Sequence, residues 1–535
     1  MKKQVDASSY TTPRDTTGSI VDQPNDSESL LEAEHRCWRI AHAEQIGLIV
    51  DAADYFAHLR RALMAARHEV LLIGWDFDFE IDMLPGESDA DGHAPDGLPN
   101  ALGDFLETVV ARAPDLRLYL LKWNGSVLVT TGRLLPALAF RIWTDERIRF
   151  ALDGHHPFGA CHHQKIIVID NALAFCGGID ITEGRWDTSE HVPNDPHRRN
   201  KDGSPAEPWH DATLALTGPA AEALGELSRT RWRRTTDETL ERPDGTVDAL
   251  WPDGLPVTLR DVDVAVVRTE PPYDGEPLVN EIEQVTLAAI AAAREVVYIE
   301  SQYFAAETVC AALERRLREP NGPEVIVINP EAALSVVEDR AMHSIRGRMI
   351  RRLQAADREK RFRIWHPVNA AGEPIYVHAK ILIVDDRLFK IGSSNLDDRS
   401  MGFDTECDVA FEGRDAASAQ AITGIRSRLL AEHLGTSPEV VEETRSRTGS
   451  LIGTIAALNP SEGRGLRAIE PLPEGLLGGF FADTRLLDPR YRVGQPSIAG
   501  RGLRPRHLVI GTVAVGLCLG LWMTRRRWSS PHRPG

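Results

Sequence analysis

The chain is short of the features that usually signal a metal site, a secretory leader or a nucleic-acid surface. Its six cysteines, Cys37, Cys161, Cys176, Cys310, Cys407 and Cys518, are scattered, with no Cys-x-x-Cys pair and no metal-ligand spacing. A structural zinc is therefore not expected, and a reducing compartment is the simpler reading. Positive charge is in deficit: 61 Lys plus Arg face 79 Asp plus Glu, a net charge of -18. A surface of that sign repels a polyanion, so wide nucleic-acid binding is disfavoured, although a local basic pocket is allowed. Lys2 and Lys3 have no apolar run behind them, so no Sec signal peptide is expected, and the polar segment 1–40 reads as disordered. Long apolar runs are lacking except near the C-terminus. There Leu508 to Met523 carries no charge and is flanked by Arg504 and Arg506 before it and Arg525, Arg526 and Arg527 after it. That segment is expected to form a membrane helix over 507–524, reached through a Gly-, Pro- and Arg-rich extension and linker over 441–506.

What the chain does carry is one pattern, twice. His163-Gln164-Lys165 is followed after four residues by Asp170, and His378-Ala379-Lys380 after the same gap by Asp385. Each copy leads at the same distance into a small-residue turn, Gly177-Gly178-Ile179-Asp180 and Gly392-Ser393-Ser394-Asn395. At background residue usage one such motif arises by chance in roughly one chain of this size in thirty, and two with matching turns far more rarely. On a strand, residues two apart share a face. His163 and Lys165 therefore point one way, as do His378 and Lys380, while Asp170 and Asp385 have the opposite parity.

The surroundings repeat as well. Ala53 to Arg67 has helical spacing and runs into Val70-Leu71-Leu72-Ile73; Ile282 to Arg294 runs likewise into Val296-Val297-Tyr298-Ile299. Further apolar strands follow in each half, Leu118 to Leu121 and Val325 to Ile328, then the motif strands Ile166 to Ile169 and Ile381 to Val384. Continuous apolar strands alternating with helices predict an α/β fold. The expected architecture is two similar halves, 41–253 and 254–440, each a mixed β-sheet flanked by helices on both faces. The halves would pack with pseudo-twofold symmetry, bringing the motifs face to face. Gly254 to Glu276 reads as the link between them, and the polar stretch between Arg185 and Trp209 as a loop beside the site.

The paired motifs resemble those of the phospholipase D superfamily, whose mark is two such motifs per active site. Leu152 to Lys165, Arg185-Trp186-Asp187, Pro208-Trp209-His210-Asp211, Ile299 to Phe304 and Thr405-Glu406 are also similar to segments of that family. Ser301 stands where many relatives have Asn, and Asp180 replaces the Asn of the second turn. The resemblance implies a phosphodiesterase of bacterial phospholipase D-like or cardiolipin synthase-like type. Its substrate would be a membrane glycerophospholipid, its acceptor water or an alcohol, and both motifs of one chain would suffice for activity as a monomer. Taken with the C-terminal segment, it implies attachment to the bacterial inner membrane.

The candidate catalytic set is His163, Lys165, Asp170, His378, Lys380 and Asp385. One histidine attacks phosphorus and the other protonates the leaving alcohol; the family pattern favours His163 as nucleophile and His378 as acid and base, and symmetry leaves the reverse open. Lys165 and Lys380, with Asn395 and Ser393 of the second turn, are the expected phosphate-binding groups. Asp170 and Asp385, off the shared face, are expected to be structural or to orient the lysines. By similarity to the family, Asp211 and Glu406 are expected to orient the histidines, with Asp180 a third candidate. No metal and no cofactor are expected, because the lysines meet the phosphate charge. Hydrolysis leads, with transfer of a phosphatidyl group as in a cardiolipin synthase second. A nuclease is disfavoured by the net acidity, and a lipid-binding protein without catalysis by the completeness of both motifs.

Overall fold

The computed structural model describes residues 29–32, 36–125, 145–243, 250–333 and 336–471, with isolated positions between 479 and 490. The first half supplies β1 (Arg39–Val50), β2 (Glu69–Gly74), β3 (Arg117–Trp123), β4 (Ile148–Asp153), β5 (Ile166–Ile169), β6 (Leu173–Gly177), β7 (Trp209–His210) and β8 (Ala212–Thr217). The second supplies β9 (Leu259–Glu270), β10 (Val279–Asn280), β11 (Val296–Glu300), β12 (Glu324–Ile328), β13 (Phe362–Val368), β14 (Tyr376–Val377), β15 (Ile381–Val384), β16 (Leu388–Gly392) and β17 (Glu406–Glu412), and β18 (Gly465–Ala468) follows.

The apolar runs become strands buried on both faces. Along β2, Leu71 and Ile73 join one core cluster while Val70 and Leu72 join another on the opposite side. Val296 and Tyr298 of β11 likewise alternate with Val297 and Ile299. One face is covered by helices Pro219–Thr236 and Ala416–Leu434, whose apolar residues share one cluster spanning both halves. The other is covered by Ala52–Ala65 and Leu102–Arg112 in the first half, and by Glu281–Ala292 and Glu307–Arg318 in the second. Helix Ala416–Leu434 is bounded by a capping box between Asp415 and Ser418 and by Gly435 at φ 62, a left-handed stop that glycine adopts without strain.

The α/β class and the internal repeat are as read from the sequence, but the halves do not have separate sheets. Among the described residues, one 16-stranded sheet runs through both halves. The order β4-β3-β2-β5-β6-β8-β1 in the first half is matched by β13-β12-β11-β15-β16-β17-β9 in the second. The two sets join through the antiparallel β1–β9 pair, in register from Arg39 opposite Val266 to Ile46 opposite Leu259. The stretch 254–276, expected to link two bodies, thus holds a central strand. A pseudo-twofold axis passes between β1 and β9. It relates β5 to β15 and sets the two motif strands on the same sheet.

The expected membrane helix is a correction. Among the described residues no helix is long and apolar enough to cross a membrane. The stretch expected to do so, 507–524, lies outside the described residues. The lack of such a helix among the described residues contradicts both the transmembrane segment and the inner-membrane location that rested on it.

Candidate active site

Each motif strand ends at the boundary between the halves, where short parallel pairings cross it. β14 pairs with β7, so that the His378 N–H donates to the His210 carbonyl at 2.8 Å. The symmetric bridge joins His162 to Thr405, and the His163 N–H donates to the Thr405 carbonyl at 2.9 Å. Each motif histidine is thus held at its backbone by the other half.

The side chains cross the boundary in the same way. His163 Nδ1 lies 3.0 Å from Glu406 Oε2 and 3.0 Å from the Ser393 carbonyl, both from the second half. His378 Nδ1 lies 2.6 Å from Asp211 Oδ2, from the first. Asp211 and Glu406, the carboxyl groups expected to orient the histidines, are the ones that make these contacts. The partners are not equivalent in environment. Glu406 also accepts from Ser393 Oγ at 2.6 Å and Ser400 Oγ at 2.7 Å, and burial pushes its carboxyl up to about 8. Asp211 accepts from the Ala212 N–H at 2.8 Å, and burial, opposed by Lys380, brings it to about 6. Both histidines are held well below the ordinary imidazole value by burial and by the lysines.

Lys165 Nζ donates to the His163 carbonyl at 3.0 Å and pairs with Asp180 Oδ2 at 3.1 Å. Lys380 Nζ donates to the His378 carbonyl and lies 3.5 Å from Gln302 Oε1. Burial pushes Lys380 down to about 7. Lys165 and Lys380 both act on His378 and on His163, so the four groups form one cluster. Asn395 is buried, and its Oδ1 has no hydrogen-bond partner among the described residues.

Four of the candidate residues direct their side chains to partners other than a histidine or the phosphate site. Asp180 faces Lys165 and the Trp75 N–H at 3.1 Å, not a histidine. Ser393 turns its hydroxyl to Glu406, so it holds that carboxyl and not the phosphate site. Asp170 accepts from the backbone N–H groups of Arg67, His68 and Glu69 at 2.7 to 2.8 Å. Asp385 does the same for Arg294, Glu295 and Val296 at 2.7 to 2.9 Å. These two aspartates therefore clamp each motif strand to the start of the neighbouring strand, and neither carboxylate is turned to a lysine.

Sequence reading missed the aromatic wall. Trp209 and Tyr376 stack with centroids 4.6 Å apart, Trp209 lies 5.1 Å from the His378 ring, and the Arg185 guanidinium covers Trp209 at 4.1 Å. Arg185 and Trp209 stood in segments marked as family-like, but nothing in spacing joins them to Tyr376. Phe304 is buried in the second-half core, and Trp75 stacks on Trp123 at 5.8 Å. His162 is buried against Asp153 at 3.2 Å.

The comparisons agree with this geometry. Residues 147–250 match the family model described as Phospholipase D, and residues 286–424 the one described as Cardiolipin synthase, PLD-like domain. The chain is 26% identical over 502 residues to Phospholipase D1 of Schizosaccharomyces pombe, covering 74% of this chain and 36% of that protein. It is 23% identical over 496 residues to Phospholipase D alpha 4 of Arabidopsis thaliana, covering 72% and 64%. The fold is similar to that of the phosphatidylserine synthase of Haemophilus influenzae Rd KW20, with TM-score 0.50, 12% identity, and coverage of 78% of this chain and 97% of that one. Phospholipase D and cardiolipin synthase-like superfamily domains therefore span both halves of the chain. It covers about a third of the length of the yeast relative.

Proposed function

We propose that this chain is a phospholipase D-type phosphodiesterase acting on glycerophospholipids through a phosphohistidine on His163. The observation that carries the reading is the crossed pairing, in which each half supplies the carboxyl group behind the other half's histidine. One motif alone would have a nucleophile without its acid.

The two partners divide the roles. The Ser393 carbonyl can only accept, so the proton of a neutral His163 sits on Nδ1 and the lone pair on Nε2. Glu406, pushed up to about 8, is mostly protonated at neutral pH and does not promote an imidazolium there. His163 is thus the neutral nucleophile. Asp211, at about 6, is mostly ionised and backs the positive form of His378. A bound phosphodiester adds negative charge between Lys165 and Lys380, which offsets the cations that hold both histidines down.

His163 Nε2 forms a bond to phosphorus as the bond to the head-group oxygen breaks, and His378 gives that oxygen its proton. Water then loses a proton to His378 and attacks phosphorus, breaking the P–N bond and releasing phosphatidate. Lys165 and Lys380 stabilise the charge on the non-bridging oxygens throughout, and Asn395 adds a neutral amide. An alcohol in place of water gives transfer. The description of the model matched by the second half favours that as the second reading. Purified protein incubated with a panel of labelled phospholipids, with and without ethanol or glycerol, tests both. Phosphatidate plus free head group marks hydrolysis, a new phosphatidyl alcohol marks transfer, and neither product from any lipid contradicts the proposal.

A further inference from the structure

Beside the catalytic cluster, adjoining it through His210 and Asp211, lies a second group of titratable side chains that the chemistry does not use, buried except for the edge of Glu432. Asp51 follows β1, His191 comes from the loop between Arg185 and Trp209, His210 ends β7, and Glu432 sits on helix Ala416–Leu434 of the second half. His191 and His210 have side chains 0% exposed, Asp51 1% and Glu432 6%. Their inward atoms converge. His210 Nδ1 is 2.7 Å from Glu432 Oε1 and 3.4 Å from Asp51 Oδ1. His191 Nε2 is 3.3 Å from Glu432 Oε1 and 3.8 Å from Asp51 Oδ2. One donor atom from each of the four lies within 4.8 Å of the others.

The outward nitrogens decide what faces inward. His191 Nδ1 lies 2.9 Å from Asp187 Oδ2, which already accepts the Trp209 N–H at 2.8 Å, while Arg198 pairs with Asp187 Oδ1. His210 Nε2 lies 2.8 Å from Glu300 Oε2, whose other oxygen meets Tyr298 and His433. Both carboxylates are acceptors, so both imidazoles donate outward. If neutral, each then turns a lone pair inward, toward two further carboxylates. Two lone pairs and two negative charges facing one another are offset either by a cation between them or by a second proton on each imidazole. Asp51 Oδ2, buried and 3.8 Å from His191 Nε2, has no hydrogen-bond partner among the described residues.

We propose that Asp51, His191, His210 and Glu432 bind one divalent transition metal ion, zinc by preference, as a closed structural site. Tetrahedral zinc with bonds of ~2.0–2.1 Å to nitrogen and oxygen sets its ligand atoms about 3.3 Å apart, within the spread of the four distances above. Imidazole with carboxylate suits zinc, and a carboxylate behind each imidazole is the usual outer support of a histidine ligand. The ion would tie the first half and its inserted loop to the last helix of the second half. His210 accepts the His378 backbone N–H, so the same ion would steady the strand end that carries a motif histidine. Sequence spacing hid the site because its ligands come from four separate segments.

The test is metal analysis of the purified full chain by mass spectrometry, with cobalt substitution as the second reading. About one zinc per chain is expected, and a tetrahedral cobalt absorption band should appear when chelated protein is refilled with Co²⁺. His191→Ala and Glu432→Gln should each lower metal content by about tenfold or more, while His163→Ala, in the catalytic pair, should keep it. If those variants fail to fold, the wild-type chain still decides. No bound metal, no uptake of zinc or cobalt, and a melting temperature indifferent to chelator would overturn the proposal. The cluster would then be two doubly protonated histidines in a buried ion-pair network.

Discussion

Glycine at 178 and serine at 393 occupy equivalent turns, and the difference between them follows from the length of one neighbouring side chain. A Cβ on Gly178 would sit 2.1 Å from Asp211 Oδ1, whereas at Ser393 the longer Glu406 leaves room for a hydroxyl that holds it. Gly178→Ala should therefore push Asp211 off His378 and lower kcat by at least about tenfold with the fold retained. Steady-state kinetics with a circular dichroism control checks this, and an unchanged kcat would refute it. The motif aspartates behave differently. Asp170→Asn should cost about 1–3 kcal/mol in urea unfolding, because a charged acceptor for three backbone N–H groups is lost. Its kcat per folded molecule should change little, and a collapse of kcat without loss of stability would make Asp170 catalytic after all. The opposite parity of Asp170 and Asp385 was legible in the sequence. Their targets were not, because Arg67 to Glu69 lie about a hundred residues earlier and backbone amides carry no side-chain signature.

Among the elements, the strands with unbroken apolar runs, β2, β5, β11 and β15, were legible because both of their faces are buried. β1 and β9 were not. Each has exposed positions at one end, Ile40, His42 and Glu44 in β1 and Arg260, Asp261 and Asp263 in β9, and β9 lay in what reads as a connector. The turn Gly392 to Asn395 and the strand β17 together bury Glu406, and that burial has a pH signature. Its carboxyl is raised from 4.5 to about 8, so the folded state binds this proton more tightly than the unfolded state. The stability it contributes is full below pH 4.5 and is lost as pH rises through about 8. Glu406→Gln, neutral at every pH, should flatten that loss. Melting temperature against pH for the two proteins should converge at the acid end and diverge, with the variant relatively higher, toward pH 8. Parallel profiles would show that Glu406 is not protonated in the fold.

At the scale of the whole molecule, the repeat and the meeting of the two motifs could be inferred from the duplication alone, but the joining of both halves in one sheet could not. The β1–β9 register makes each half an edge for the other, and one core cluster spans both. Urea unfolding followed by fluorescence and by circular dichroism should give one coincident transition, and two separated transitions would show independent halves. The crossed carboxyl groups make the same point for chemistry, since neither half holds a complete histidine pair. His163→Ala and His378→Ala should each lower turnover by roughly three orders of magnitude or more, with the double variant little worse. The most direct test of the account is to trap the intermediate. In His378→Asn, a substrate with a good leaving group should still load His163, while breakdown is slowed for want of a base. Rapid alkaline quenching and peptide mass spectrometry should then find one phosphatidyl-type adduct, on His163. An adduct on His378 in the His163→Asn protein, with none on His163 in the reciprocal variant, would contradict the assignment.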